Sequence, residues 1–189
     1  MRVRRFARQT GRVAARALEP SALLAILAAT PARLRCSTGP VGSQPSPPAW
    51  TAVDVLAHLR ACADVWEGAI ATILAGHENS LRAVNPLAWI TRTDYRDRSY
   101  RTNCAAFRAQ RTSLLALLGS LEADHWDLSI TVTGAGAPLR RTVRDYVTRL
   151  ARHERSHWSQ IGRLVGEARG SQRAAAGGPT SASRPVRSS

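Results

Sequence analysis

Residues 142–167 read TVRDYVTRLARHERSHWSQIGRLVGE, and this stretch decides the fold. Thr142 followed by Asp145 resembles a capping box, a pattern that starts helices, with Asp in place of the usual Glu or Gln. Apolar and histidine side chains then recur every three or four residues, which is the spacing of one helix face. The stretch therefore predicts a helix from Thr142 to about Glu167. Its inward face carries Val143, Tyr146, Leu150, His153, His157, Ile161 and Leu164.

Three further helices are predicted upstream by the same periodicity. They run from about Pro20 to Thr30, where Pro31 is expected to end the helix, from Thr51 to about Ala75, and from about Asp97 to Leu121. The segment LSITVTGAGAP before the last helix alternates and then turns, which favours a short strand or hairpin. An all-α, antiparallel four-helix bundle is the simplest architecture that buries four such helix faces.

Ionisable side chains interrupt the predicted inward faces of three helices. His58 lies on the face of the second helix, Arg111 on that of the third, and His153 and His157 on that of the fourth. The apolar positions of the second face are Val55, Cys62, Trp66, Ala69 and Ile73, and those of the third are Tyr100, Cys104, Phe107, Leu114, Leu118 and Leu121. Burying an unpaired polar group is costly, so each interruption calls for a partner.

The positive charge of the chain is concentrated at its ends. All 27 basic residues are arginine and the net charge is +14, but residues 19–168 carry only +4. We therefore predict a basic disordered extension (1–18), a bundle domain (19–168) and a Gly-, Ser- and Ala-rich disordered tail (169–189). A start codon placed too far upstream and an arm that contacts phosphates are alternative interpretations of residues 1–18.

Composition excludes several classes of protein. No run approaches the roughly 20 apolar residues of a membrane span, so no membrane partner is expected. Three cysteines without CxxC spacing indicate neither a disulfide scaffold nor a cysteine-based zinc knuckle, and a reducing, cytoplasmic location is expected. No helix-turn-helix, zinc-finger or aromatic RNA-binding motif indicates sequence-specific recognition of nucleic acid.

Three histidines are candidate metal ligands. His153 and His157 are four residues apart on one helix, so both imidazoles project from the same face. His58 on a facing helix offers a third ligand, and three imidazoles leave coordination positions open, as in catalytic sites. The alternative is that all three are core histidines hydrogen-bonded to backbone or carboxylates. His77 and His125 lie at helix ends or loops and are not assigned as ligands.

The order and spacing of several motifs resemble the DinB/YfiT-like superfamily from about Ser21 to Glu167. These motifs are Trp50-Thr51, Val55-Leu56-Ala57-His58-Leu59, Arg111 before a Leu-rich helix end, Thr142-Val143, and His153-Glu154-Arg155-Ser156-His157-Trp158-Ser159-Gln160-Ile161. The resemblance implies a four-helix bundle with three helix-borne histidines around a divalent metal. The matching positions are His58, His153 and His157.

The resemblance also implies a range of activities. Members of the family include S-transferases that use low-molecular-weight thiols such as bacillithiol, relatives that use mycothiol, and metal-dependent hydrolases. We expect a transferase in which a thiol, activated at the three-histidine metal site, attacks a small-molecule substrate. A metal-dependent hydrolase is one alternative, and a non-catalytic metal-binding stress or interaction protein with basic tails is the other. Zinc or nickel is the expected ion, since imidazole suits both, and a homodimer is left open.

Arg111 has two interpretations of equal weight. As a substrate-binding residue it would hold a carboxylate of the substrate or thiol near the metal. As a structural residue it would form an internal ion pair with Asp54, Asp64 or Glu67, because a buried guanidinium needs a partner.

Other residues near the predicted ligands are also given two interpretations. Asp54 and Glu154 are candidates to accept a proton from a metal-bound imidazole, but Asp54 is already explained as a helix cap and Glu154 as a solvent-facing residue. Cys62 is interpreted as a small apolar core residue rather than a ligand. The loop of residues 77–96, with Asn85, Pro86 and Trp89, is long enough to cover one end of the bundle beside a pocket.

Overall fold

The computed structural model describes residues 18–34 and 50–176. The predicted basic extension, apart from Leu18, lies outside these residues, as does the predicted tail beyond Ala176. The described elements are α1 (Pro20–Arg33), α2 (Ala52–Ala75), β1 (Ser80–Arg82), α3 (Pro86–Ile90), α4 (Tyr100–Gly119), β2 (Ser129–Thr133), β3 (Leu139–Thr142) and α5 (Val143–Ala176). A 3-10 helix, Ala123–Asp127, precedes β2.

Four of the helices form the bundle that the sequence predicts. Helix α1 packs against α4 and α5, and α2 packs against the same two helices. The predicted four-helix bundle is therefore confirmed. No helix in the described ranges has both the length and the hydropathy to cross a bilayer.

The helix caps follow the sequence signals closely. At the start of α2, the Thr51 N–H donates to the Asp54 carboxylate at 2.9 Å, and the Asp54 N–H donates to Thr51 Oγ1 at 3.0 Å. Helix α2 ends at Gly76, whose φ of 67° lies in the left-handed region that glycine adopts at low cost. The predicted capping role of Asp54 is thus observed.

Three helix boundaries differ from those predicted. Helix α1 continues past Pro31 to Arg33, and the Leu34 N–H donates to the Thr30 carbonyl, which carries the helical pattern beyond the proline. Helix α4 begins at Tyr100 because Ser99 caps it, accepting from the Thr102 N–H. Helix α5 extends to Ala176, beyond the predicted boundary of the domain, where alanine favours helix.

A small sheet lies beside the bundle. Strand β2 pairs antiparallel with β3, which is the predicted hairpin, and parallel with β1, which was not predicted. Strand β3 leads directly into α5, where the Thr142 N–H donates to Asp145 and the Asp145 N–H donates to Thr142 Oγ1. The sheet therefore holds the start of α5 and the segment that follows α2 at one end of the bundle.

Two apolar clusters form the core. One includes Leu23, Trp66, Leu118 and Leu150 near the sheet, and the other includes Val55, Tyr100, Phe107 and Ile161 towards the opposite end. Between them, along their helices, lie His58, Arg111, His153, Glu154 and His157. We call these five residues the polar layer.

Arg111 and its partners tie three helices together in the polar layer. The Arg111 side chain is fully buried, donating from one nitrogen to Glu67 of α2 at 2.9 Å and from another to Glu154 of α5 at 2.5 Å. Burial raises the pKa of both Glu67 and Glu154 to about 7, against the opposing effect of Arg111. Arg111 thus forms the internal ion pair of its structural interpretation, with Glu67 as one partner. The second partner is Glu154, which was expected to face solvent but is buried.

The cysteines require one correction. Cys62 is a buried free thiol, as its interpretation as a core residue requires. Cys104, however, is disulfide-bonded. Such bonds are uncommon in reducing compartments, so the cytoplasmic location stays a prediction without structural support from the cysteines.

We predict that Arg111→Ala lowers the free energy of unfolding by about 3–5 kcal/mol, because it leaves the buried Glu154 and the partly buried Glu67 without their cation. Urea titration followed by circular dichroism measures this change. Arg108→Ala, at an exposed position of the same helix, is the control and should unfold like the wild type. Equal midpoints for Arg111→Ala and Arg108→Ala would show that the ion pairs are not a structural constraint.

Candidate metal centre

The three predicted ligands are positioned by two helices that pack against each other. His58 lies on α2, one turn after the capping residue Asp54, and His153 and His157 lie one turn apart on α5. All three side chains are half-buried. The ring of Trp50 meets that of His58 edge-on, with 5.3 Å between centroids.

The structure brings the three imidazoles together. His58 Nε2 and His153 Nε2 are 3.1 Å apart. The ring centroid of His153 is 4.9 Å from that of His58 and 4.7 Å from that of His157, and the His58 and His157 centroids are 5.6 Å apart. The geometry that a shared metal ion requires is therefore present for His58 and His153, with His157 alongside.

The spacing of the nitrogen atoms fits a divalent ion. Two imidazole nitrogens each 2.0–2.1 Å from one tetrahedral ion lie about 3.3 Å apart. The observed 3.1 Å between His58 Nε2 and His153 Nε2 is close to this value. Two neutral imidazoles can make this contact as a hydrogen bond only if one of the two nitrogens carries the proton.

Cys62 is closer to the histidines than its interpretation as a core residue suggested. Its Sγ lies 3.6 Å from His58 Nε2, and the ligand atoms of His58, Cys62 and His153 all lie within 4.8 Å of one another. Burial raises the pKa of the Cys62 thiol to about 12, so the side chain is a neutral thiol near neutral pH. The site thus offers two candidates, His157 and Cys62, for a third ligand.

Burial keeps two of the imidazoles neutral. Desolvation, with smaller contributions from neighbouring histidines and arginines, lowers the pKa of His58 and of His153 to about 4. Near neutral pH both rings therefore have a nitrogen lone pair free to bind a cation. Neutral imidazole is the form that ligates metals.

Several neighbours of the histidines had no role in the sequence analysis. His157 Nδ1 lies 2.7 Å from Gln160 Oε1, so it donates to the amide oxygen and leaves Nε2 as the ring's acceptor. Trp66 meets His153 edge-on, with 5.2 Å between ring centroids. The spacing of Gln160 three residues after His157 could have indicated this contact, whereas the Trp66 contact depends on how α2 and α5 pack. Within the described residues, the buried Nδ1 of His153 has no hydrogen-bond partner.

The other predicted site residues are engaged by partners outside the histidine cluster or are exposed. Arg111 is engaged by Glu67 and Glu154, which favours its structural interpretation over substrate binding. Asp54 pairs with Arg96 at 3.3 Å and caps α2. His125 Nδ1 accepts from a backbone N–H in the 3-10 helix, and His77 is exposed, so neither belongs to the cluster.

A cavity of about 1260 Å³ adjoins the cluster, and His153 forms part of its wall. Helices α2 and α5 border it on one side, and the β2–β3 hairpin and residues 81–89 border it on the other. The loop that was expected to cover a pocket therefore does so. Trp89 is held in this wall by a hydrogen bond from its Nε1 to Asp64 at 3.1 Å.

Comparison with known proteins yields a family and a similar fold. A sequence model of the DinB superfamily matches residues 15–161. The structure of YfiT from Bacillus subtilis, described as a probable metal-dependent hydrolase with an unusual four-helix bundle topology, is similar with a TM-score of 0.58 at 16% identity. The match covers 82% of this chain and 87% of that one. No curated protein matches the chain.

We predict that burial of a neutral His153 makes the metal-free protein less stable as the pH falls from about 6.5 towards 4. The unfolded imidazole titrates near 6.5 and the folded one near 4, so between these values the unfolded chain binds a proton that the folded protein does not. His153→Gln should therefore lose free energy of unfolding less steeply than the wild type over this range. Urea titrations of chelator-treated protein at several pH values measure the slopes.

The raised pKa values of Glu67 and Glu154 act in the opposite sense, and they are common to both proteins, so the difference between the two slopes isolates His153. His77→Gln is the control for loss of an imidazole at an exposed position. Identical slopes for wild type and His153→Gln would contradict a buried neutral ring.

Proposed function

The chain belongs to the DinB superfamily, and we propose on that basis that it is a metal-dependent enzyme that acts on a small molecule in the cavity beside its histidines. One observation carries the proposal: neutral imidazoles from two helices converge at the wall of a large cavity. Open coordination positions facing a cavity are typical of catalytic rather than structural metal sites.

We assign His58, His153 and His157 as the residues that hold the ion. His58 and His153 present neutral rings whose nitrogens have the spacing of shared ligands. Gln160 orients His157 through its Nδ1, as partners of metal-bound imidazoles commonly do. Cys62 remains protonated in its buried position and is the competing candidate.

The reaction that we propose is transfer of a low-molecular-weight thiol to a small electrophile. When bound, a divalent ion supplies Lewis-acid chemistry, lowering the pKa of a thiol or a water molecule so that it is a nucleophile near neutral pH. The cavity of about 1260 Å³ has room for a small-molecule substrate beside His153. The chain's own contribution is to orient both substrates beside His153 and to limit the access of water.

Hydrolysis is the second candidate. It is favoured by the similar fold of YfiT, which is described as a probable metal-dependent hydrolase. In this version water takes the place of the thiol, and the same three histidines hold the ion. Zinc or nickel suits either version, since both bind imidazole.

We predict that His157→Ala weakens metal binding more than about 100-fold, whereas Cys62→Ala retains a stoichiometric ion. Elemental analysis of full-length protein without a His tag, before and after dialysis against a weak chelator, measures this. Loss of the ion in Cys62→Ala but not in His157→Ala would reverse the assignment of the third ligand.

Circular dichroism of chelator-treated wild type separates a catalytic ion from an architectural one. We expect the helical signal to persist, because the apolar clusters and the Arg111 ion pairs hold the bundle together without the ion. Collapse of the helices on chelation would favour a non-catalytic, structural metal site.

We predict that metal-loaded wild type transfers thiols to a generic electrophile such as 1-chloro-2,4-dinitrobenzene, and that His153→Ala does not. Several thiols are compared, and formation of the thioether is followed by absorbance. Arg163→Gln, at an exposed position of α5, is the control and should keep the wild-type rate. Hydrolysis of ester or amide substrates together with no transfer from any thiol would favour the hydrolase.

A further inference from the structure

The cavity beside His153 has a positively charged wall that the metal site does not explain. Four arginines line it: Arg82, Arg141, Arg149 and Arg152. Across the described ranges, the ion pairs involve other arginines, and none forms to these four. Guanidinium groups that line one cavity give it a positive potential, which favours an anionic ligand.

The two carboxylates of the cavity wall are already engaged elsewhere. Asp64 accepts hydrogen bonds from Trp89 Nε1 at 3.1 Å, from the Tyr95 hydroxyl at 2.6 Å and from Gln110 Nε2 at 2.5 Å. Asp145 accepts from the Thr142 N–H at the start of α5. Each acid is thus hydrogen-bonded within the fold, and neither forms an ion pair with the four arginines among the described residues.

Two of the four arginines stand next to the reaction site. Arg149 and Arg152 lie three residues apart on α5, so they share a helix face, and they precede His153 by four residues and one residue. The Arg149 guanidinium lies over the ring of Trp66, with 4.6 Å to its centroid, and Trp66 in turn meets His153. The cation–π contact holds Arg149 in place without neutralising its charge.

Apolar side chains also line the cavity. They come from the sheet and from the segment around α3, namely Leu81, Val84, Trp89, Val132 and Leu139. Leu139 and Val84 are exposed, although large apolar side chains are more stable when covered. A ligand that matches this lining combines an apolar body with a negatively charged group.

We propose that the cavity binds an organic anion, with its oxyanion group held by Arg149 and Arg152 and its apolar body against Leu81, Val132 and Leu139. This inference rests on the proposed function, since it names the class of substrate that would be presented beside His153. The guanidinium fork binds carboxylate and phosphate oxygens in pairs, so both head groups share the recognition chemistry. Arg141 and Arg82 extend the positive wall from the sheet.

Isothermal titration calorimetry on full-length, chelator-treated protein tests the proposal with three matched probes. These are 2-naphthoate, 2-naphthyl phosphate and the neutral 2-naphthamide. We expect each anion to bind at least about tenfold more tightly than the amide, as one or two charge-assisted hydrogen bonds provide. The ratio of the two anion affinities then distinguishes a carboxylate from a phosphate ligand. Equal affinities for the anions and the amide would overturn the proposal.

Variants test whether Arg149 and Arg152 are the source of the preference for anions. Arg149→Gln with Arg152→Gln should abolish the preference for the anions, and Arg149→Lys with Arg152→Lys should restore part of it. The control is Arg155→Gln with Arg163→Gln, which removes the same charge from exposed positions of α5 outside the cavity and should keep the preference. An equal loss in the control pair would overturn the proposal by assigning the effect to net charge. Circular dichroism verifies that each variant is folded, and retention of the preference in a folded glutamine pair would also overturn it.

Metal binding is measured on the same samples, so that failure of one proposal is distinguishable from failure of the other. The anion preference is expected in metal-free protein, because the arginines act without the ion. Anion binding by a protein that takes up no metal would leave the organic-anion site intact and remove the proposed enzyme. Stoichiometric metal binding with no anion preference would leave the proposed enzyme intact and remove the organic-anion site.

Discussion

The buried Arg111 guanidinium is the constraint around which the middle of the bundle is arranged. It extends from α4 and pairs with one carboxylate on α2 and another on α5. The three helices are therefore joined at the same height along the bundle axis. Replacing a buried ion pair by apolar residues of similar volume is often neutral for stability. We infer that the ion pairs of Arg111 instead set the axial register of the three helices relative to one another. Glu154 follows His153 directly, so the contact that anchors Arg111 also sets the level at which the imidazoles meet.

The histidines show how an apolar surrounding prepares a binding site. Taken out of water, an imidazole loses much of its affinity for a proton and keeps its lone pair. The two apolar clusters on either side of the polar layer produce this effect at His58 and His153. Buried imidazoles are costly unless they are paired, and at His153 a ring nitrogen is buried without a partner among the described residues.

Local patterns predict the helices well because they act within a few residues. The capping box at Thr51 and the glycine at position 76 set both ends of α2, and the face that carries His58 follows from periodicity alone. The start of α4 was misplaced because Ser99 competes with earlier residues as a cap. Strand β1 could not be predicted, since its pairing with β2 joins segments about fifty residues apart and leaves no periodic signal in three residues.

For the candidate site, helix geometry predicted which residues share an inward face, but not the contacts between helices. The i, i+4 spacing placed His153 and His157 on one face, periodicity placed His58 on the inward face of a facing helix, and the resemblance to a known family matched all three positions. The proximity of Cys62, the pairing of Arg111 with Glu154 and the arginines of the cavity all depend on how α2, α4 and α5 rotate against each other. Side-chain packing sets these rotations, and a single sequence contains no direct record of it.

The direct passage from β3 into α5 has an evolutionary consequence. Thr142 ends the strand and caps the helix, so the strands cannot shift without moving the helix that carries His153 and His157. We therefore expect variation mainly in the hairpin turn, except at Gly134, whose φ of 82° favours glycine and where a Cβ would lie only 3.2 Å from Arg82 Cγ. Ala135 and Ala137 are exposed and border the cavity. Drift at these two positions would let related lineages, or a directed-evolution library, change the entrance to the cavity while the fold stays constant.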